Sequence, residues 1–280
     1  MRSLRRLLRI TFAGCAVLAG VAVGYALWGV PKNWYRDHDV SALSAGAQND
    51  LIRLGQAILV DTPTHIGKSA ADPAKRYAGN DLACVACHID GGLKPFAAPL
   101  VSTFTSYPLM IDDRVLTLTQ RINGCMTRSM NGTAMPEESR EMQALVAYMQ
   151  FVSRDTPAGV RVPGMGLKPL PPPPQPADAG RGEIVYRDAC ARCHGTDGEG
   201  QPRASPAVGW TIPPLWGDGS FNAAAGMAQL EMAAAFIHAN MPPGSTAAEP
   251  LIGVQEAWDA AAYVTTRPRP PARQAGSDPR

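Results

Sequence analysis

The chain has 280 residues, 18% of them charged and 45% hydrophobic, with a formal net charge of +2. Arg2, Arg5, Arg6 and Arg9 lie ahead of an uncharged run, and taking those four from +2 leaves −2 on the remainder, a balance that excludes nucleic-acid binding. The length and apolar content suit two modest cores of roughly a hundred residues each.

Residues 10–30 carry no charge and at helical rise are long enough to cross a bilayer. With four arginines before them, the positive-inside rule places the rest of the chain outside the cytoplasm. We read this segment as an uncleaved anchor in a bacterial inner membrane, with Cys15 buried in it and the protein on the periplasmic side. The alternative is a cleaved signal segment and a soluble periplasmic protein. A polar spacer, residues 31–47, follows.

Apolar residues recur at helical spacing over 48–60, and a loop rich in Gly, Pro and Asp then leads to Cys84-Val85-Ala86-Cys87-His88. The same form returns at Cys190-Ala191-Arg192-Cys193-His194. Two thiols one helical turn apart can each add to a haem vinyl group, while the adjacent imidazole is carried beneath the iron. Two such motifs imply two covalently bound haem c groups, held through Cys84, Cys87, Cys190 and Cys193, with His88 and His194 as proximal ligands. A zinc ribbon or a thioredoxin-like pair would not need a His after both motifs. Attachment of this kind is completed outside the bacterial cytoplasm, in agreement with the N-terminus.

Between and after the motifs, the pattern predicts helices over 112–122, closed by Asn123-Gly124, and over 138–152, with Met142, Leu145, Val146 and Met149 on one face. Residues 157–177 contain eight prolines and read as a stiff, extended linker. A helix over 179–189 runs into the second motif, and one over 254–264, with Trp258 and Tyr263, closes the second unit. From His88 to Met135 and from His194 to Met241 the separation is 47 positions, and a Pro follows each Met. The predicted fold is all-α: two tandem mono-haem cytochrome c domains, 48–156 and 178–268, joined by the Pro-rich linker and followed by a tail, 269–280.

The second axial ligand sets what each haem does. Met241 is the candidate at the second haem, with Met227 and His238 as competitors. At the first, spacing nominates Met135, whereas Cys125 is the one other thiol beyond the apolar run. Arg114, Leu118 and Arg121 share a face of the predicted helix, Cys125 continues that register, and Arg128 follows. Cations beside a thiol favour thiolate, a better nucleophile and iron ligand, and can hold a small oxyanion. The residues alone leave this reading and that of an inert Cys both open.

Several longer blocks are informative: Tyr77-Ala78-Gly79-Asn80-Asp81-Leu82, Lys94-Pro95-Phe96-Ala97-Ala98-Pro99-Leu100, the run from Arg121 to Gly132, and Pro213-Pro214-Leu215-Trp216-Gly217 continuing through Ser220-Phe221-Asn222 to Ala225-Gly226-Met227. Together they resemble the dihaem thiosulfate dehydrogenases, over about residues 48–268. The resemblance implies oxidation of two thiosulfates to tetrathionate, His88 and Cys125 as axial ligands of the active haem, and His194 and Met241 at the haem that passes electrons on. Some members of that family carry a Lys before the second Met, allowing ligand exchange; here Asn240 stands there, and Met241 is expected in both oxidation states.

On this reading Arg114, Arg121 and Arg128 offset the repulsion of two dianions, and Ser129 and Asn131 bond sulfonate oxygens. Cys125 forms a covalent adduct with one thiosulfate and is displaced by the second. Electrons leave to a soluble cytochrome c or a membrane oxidase, and the same site could reduce tetrathionate. The rival classes are a membrane-tethered carrier with no substrate, using Met135, and a sulfur-oxidising cytochrome subunit that depends on a partner carrying the substrate.

Overall fold

In a computed structural model, which describes residues 34–35 and 38–272, the first half holds α1 (Ala47–Val60), the short α2 (Thr62–Ile66), a hairpin of β1 (Leu109–Ile111) and β2 (Arg114–Leu116), α3 (Leu118–Arg128) and α4 (Arg140–Val152). The second half holds α5 (Ala179–Val185), a two-stranded pairing of β3 (Gln201–Pro202) with β4 (Trp210–Ile212), α6 (Leu230–Asn240) and α7 (Val254–Thr265). The apolar run at 10–30, its flanking arginines and Cys15 lie outside the described residues. Among those described, no helix is long and apolar enough to cross a membrane.

Each half is organised by one helix crossing, and a glycine permits each. In α1, Ile52, Gly55, Ile58 and Leu59 recur on one face and are buried against Met142, Leu145 and Tyr148 of α4. A Cβ at Gly55 would overlap the Ala144 carbonyl oxygen and sit 2.8 Å from Tyr148 Cβ, so the two backbones touch there. In the second half Gly182 of α5 meets Asp259 and Tyr263 of α7 in the same way, with Tyr263 Cβ 2.9 Å from the missing Cβ. α6 completes that half by packing Ala233 and Ala234 on Trp258 and Ala261. Burying each of the large side chains contributes about 1.5–3 kcal/mol. The sequence-derived helices at 48–60, 138–152 and 254–264 are thus present within two residues of their expected ends. The one at 179–189 is present as α5 continuing through a wide turn, Tyr186–Cys190.

The helix expected over 112–122 is not there. Asp112 and Asp113 take positive φ (47° and 59°) as the two-residue turn of the β1–β2 hairpin, with Ile111 paired to Arg114. The helix starts only at Leu118, where Thr117 and Gln120 form a capping box: Thr117 Oγ1 accepts from Gln120 N at 3.2 Å, and Gln120 Oε1 accepts from Thr117 N at 3.0 Å. It runs on through Asn123-Gly124, which looked like a terminator. Asn123 instead bonds both backbone groups of Met135, at 2.8 and 2.9 Å, and the absence of a Cβ at Gly124 makes room for the Arg128 guanidinium.

The linker is also more than a spacer. It has no regular element, but Phe96 N donates to Gly164 O (2.7 Å), Ala98 N donates to Gly166 O (3.1 Å), Val162 is buried, and Trp258 Nε1 donates to Pro171 O (2.9 Å). It is a strap fixed to both halves. The expected tail likewise starts packed, since Ala223 N donates to Pro270 O and Arg269 lies 4.5 Å from the Phe221 ring centroid. The described residues from Tyr35 onward form one compact unit. Its halves are joined by an Asp61–Arg203 ion pair at 2.7 Å and by two buried asparagines: Asn80 Nδ2 donates to Ser220 O (3.1 Å) and Asn222 Nδ2 to Thr127 O (2.9 Å).

Candidate haem sites and active centre

The first C-x-x-C-H motif opens on a short turn, Cys84–Ala86, fastened by Thr62 at the start of α2. Thr62 Oγ1 accepts from Cys84 N (3.1 Å) and donates to Ile58 O (2.7 Å), tying the motif to the end of α1. His88 Nδ1 lies 2.5 Å from the Ala98 carbonyl oxygen. A carbonyl only accepts, so that bond places the proton on Nδ1 and leaves Nε2 bare, the state an iron ligand requires. Cys84, Cys87 and His88 line a cavity with about 710 Å³ of unfilled space, walled by apolar side chains including Leu82, Met126 and Leu145. Cys125 lines it too, on the side facing His88, whereas Met135 does not: that residue is buried, its backbone held by Asn123.

Cys125 therefore stands opposite His88, on α3, with Arg121 one turn before it. Arg121 Nη1 donates to Cys125 Sγ at 3.0 Å. Burial pushes this thiol up, but the His88 imidazole facing it and the Arg121 charge outweigh that and bring its pKa down to about 6. The two thiols of the first motif go the other way, pushed up by burial to about 11 for Cys84 and about 12 for Cys87. Arg121 is itself bonded to the Tyr107 hydroxyl, just before the hairpin. Nothing in the sequence around Tyr107 marked it; only the fold brings it 14 positions back onto α3.

The other candidates are placed unequally. Ser129 lines the cavity, and its carbonyl accepts from Asn80 Nδ2 at 3.0 Å. Arg128 lays its guanidinium over Gly124, beside Cys125. Asn131, at φ 46°, turns its Oδ1 toward Asn222 of the second half, at 3.3 Å. Contrary to the expectation from the sequence, Arg114 shares no helical face with Arg121; it is exposed on β2 at the hairpin turn. The blocks around Tyr77 and after Cys125 are neighbours: Gly79 N donates to Met130 O and Thr133 N to Tyr77 O, at 2.9 and 2.8 Å.

The second cavity has about 1280 Å³ of unfilled space and is lined by Cys190, Cys193, His194 and Met241. His194 Nδ1 donates to Pro213 O at 2.9 Å, so here too Nε2 is the bare nitrogen. Met241 follows directly on α6 and its carbonyl accepts from Ser245 Oγ. Of the competitors, Met227 lines both cavities and His238 neither. Leu82, Ala86, Cys87 and Phe221 also line both, so the two sites share one apolar wall. Space, attaching thiols and imidazoles with the ligating nitrogen free all fit a haem c at each site.

The fold and these two sites define a dihaem c-type cytochrome of the oxidoreductase class. The family model of the SoxA/TsdA cytochrome c domain matches residues 74–158, and that of subunit III of the cbb3-type cytochrome c oxidase matches 177–264. The chain is 35% identical to a thiosulfate dehydrogenase of Stutzerimonas stutzeri over 86% of its own length and 75% of that protein's, and 38% identical to one of Allochromatium vinosum over 81% and 82%. It therefore belongs to the thiosulfate dehydrogenase family, with two covalently bound haem c groups. A solved thiosulfate dehydrogenase (TsdBA) from Marichromatium purpuratum superposes with a TM-score of 0.71 at 34% identity, covering 80% of this chain and 47% of that longer one.

Proposed function

We propose that the first site oxidises two thiosulfate ions to tetrathionate, with Cys125 as nucleophile and distal ligand. The single observation that carries this is the position of Cys125 Sγ, opposite His88 in the cavity and 3.0 Å from the Arg121 guanidinium. When bound, the two haems supply the acceptors for two electrons and a route outward through the shared wall. Arg121 holds the sulfonate of the first thiosulfate, with Ser129 and Arg128 adding donors and Asn131 fixing the turn that carries them. Arg114, exposed at the hairpin, draws the dianion in from solution.

The Cys125 thiolate bonds to the terminal sulfur of the first thiosulfate, and two electrons leave. The terminal sulfur of the second ion then attacks that same sulfur, forming the central bond of tetrathionate and expelling the Cys125 thiolate. No proton is consumed. Run backwards, the same residues reduce tetrathionate. His194 and Met241 would hold the iron of the second haem, and a soluble cytochrome c or a membrane oxidase would take the electrons onward outside the cytoplasm. The thiosulfate dehydrogenase relatives, matched over 75% and 82% of their length, favour the free-substrate enzyme over a subunit that depends on a carrier partner.

The test is thiosulfate-dependent haem reduction in the purified, haem-loaded chain, with tetrathionate assayed. Cys125→Ala should abolish both while the two haems stay attached, and Met135→Leu should leave both intact. Near-normal tetrathionate formation by Cys125→Ala would overturn the mechanism.

A further inference from the structure

The loop that orients the proximal histidine of the first haem is held in place by the segment that carries the Met of the second. Ala98, whose carbonyl accepts from His88 Nδ1, belongs to a loop in which both Phe96 (φ 59°) and Ala98 (φ 49°) occupy the left-handed region. Non-glycine residues rest there only when outside contacts hold them. Two of those contacts come from either side of Met241. Asn240 Nδ2 donates to Phe96 O at 3.0 Å as well as to Phe236 O at 3.1 Å on its own helix, and Lys94 Nζ donates to Ser245 O at 3.2 Å. Ser245 Oγ in turn donates to Met241 O at 2.9 Å. Asn240 is fully buried, and its Oδ1 makes no hydrogen bond within the described residues.

From this geometry we infer that Asn240 is a positioning residue that couples the two haem sites: it bridges the Met241 turn to the loop whose Ala98 carbonyl sets the His88 imidazole. The inference rests on His88 and Met241 as iron ligands. A backbone carbonyl accepting from the far nitrogen of a ligating imidazole makes that imidazole more basic and favours ferric iron. Whatever tightens or loosens the Phe96–Ala98 loop therefore alters the electron affinity of a haem that Asn240 does not touch, and a displacement at Met241 reaches His88 through a handful of bonds. The bridge is not visible in sequence, because Asn240 and Phe96 are 144 positions apart.

The experiment is a redox titration of the haem-loaded full chain that resolves both midpoints, for the parent, Asn240→Leu and Lys94→Met. Leu removes the donor and the amide oxygen together and fills similar volume, at the cost of leaving the Phe96 carbonyl without this donor. Lys94→Met breaks the second bridge from the other half, should Asn240→Leu fold poorly. We expect each substitution to move both midpoints, with that of the His88 haem moving upward as the Ala98 bond slackens. The two haems are told apart by which one's spectrum Cys125→Ser changes. If only the Met241 haem shifts in Asn240→Leu, and only one haem in Lys94→Met, the coupling is refuted. If Cys125→Ser changes neither spectrum, the reading of Cys125 as ligand fails, while the count of shifted midpoints still decides the coupling.

Discussion

Replacing Arg121 by Met keeps the length of the side chain and removes its charge and every donor. In the parent, Nη1 donates to Cys125 Sγ at 3.0 Å, and the guanidinium also bonds Tyr107. A hydrogen bond in which a partner is charged contributes about 1.5–3 kcal/mol. Arg121 is exposed along part of its length, which puts the loss at the lower end of that range for the thiolate contact alone. The same fork is proposed to hold the sulfonate, and losing that contact adds a comparable amount. At one factor of ten per 1.36 kcal/mol, about 2–3 kcal/mol corresponds to a fall of roughly 30- to 150-fold in kcat/KM for thiosulfate. Arg121→Lys, which keeps the charge and loses the fork, should recover only part of it. Steady-state oxidation of thiosulfate with an artificial electron acceptor measures this, with haem content matched to the parent. A kcat/KM for Arg121→Met within twofold of the parent, both haems attached, would refute the assignment of Arg121 to the substrate and the thiolate.

Two further outcomes concern the frame that holds the sites. Gly55→Ala places a methyl against the Ala144 carbonyl, where backbone must yield rather than a flexible tip; a loss of about 3 kcal/mol is expected, read as a lowered Tm of the haem-loaded protein, and an unchanged Tm would mean that α1 and α4 do not cross in contact. Asp259 is buried on α7, and burial alone would push its carboxyl up. The hydrogen bonds from Arg181 (2.7 and 2.8 Å), Asp178 N (2.8 Å) and Gln255 (3.0 Å) outweigh that and hold it below its usual range. A depressed carboxyl stabilises the fold above its unfolded pKa of about 3.9 and loses that contribution as pH falls through the folded value. Denaturant unfolding should therefore show Asp259→Asn less stable than the parent by about 2 kcal/mol at neutral pH, with the gap closing in strong acid; a gap that stays constant with pH would show that the charge is not what matters.

Much of the frame was legible because its causes are local. The apolar spacing of Ile52, Ile58 and Leu59, and of Met142, Leu145 and Met149, is written into consecutive turns of α1 and α4, and Ser139 caps the latter through its bond to Met142 N. Where a residue's work is done by a distant partner, local signals misled. Asn123-Gly124 has the composition of a helix end, yet Asn123 is engaged by Met135 and Gly124 by Arg128. Asp112-Asp113 has the composition of an acidic first turn, yet it closes a hairpin that delivers Tyr107 to Arg121. The prolines of 157–177 forbid regular structure but say nothing of the Gly164, Gly166 and Pro171 carbonyls that the segment presents to Phe96, Ala98 and Trp258.

The sequence by itself determined the cofactor, since C-x-x-C-H is a covalent requirement satisfied within five residues, and it determined that there are two such sites with a helix ahead of each and one behind. It could not choose between Met135 and Cys125. The equal spacing of 47 positions made Met135 the counterpart of Met241, and only the tertiary structure separates them: Met241 lines its cavity, while Met135 is held by its backbone to Asn123 and Cys125 faces the first site in its place. Which side chain reaches a buried cavity depends on how the helices that wall it are rotated and packed against one another, and that is fixed by contacts between residues far apart in the chain.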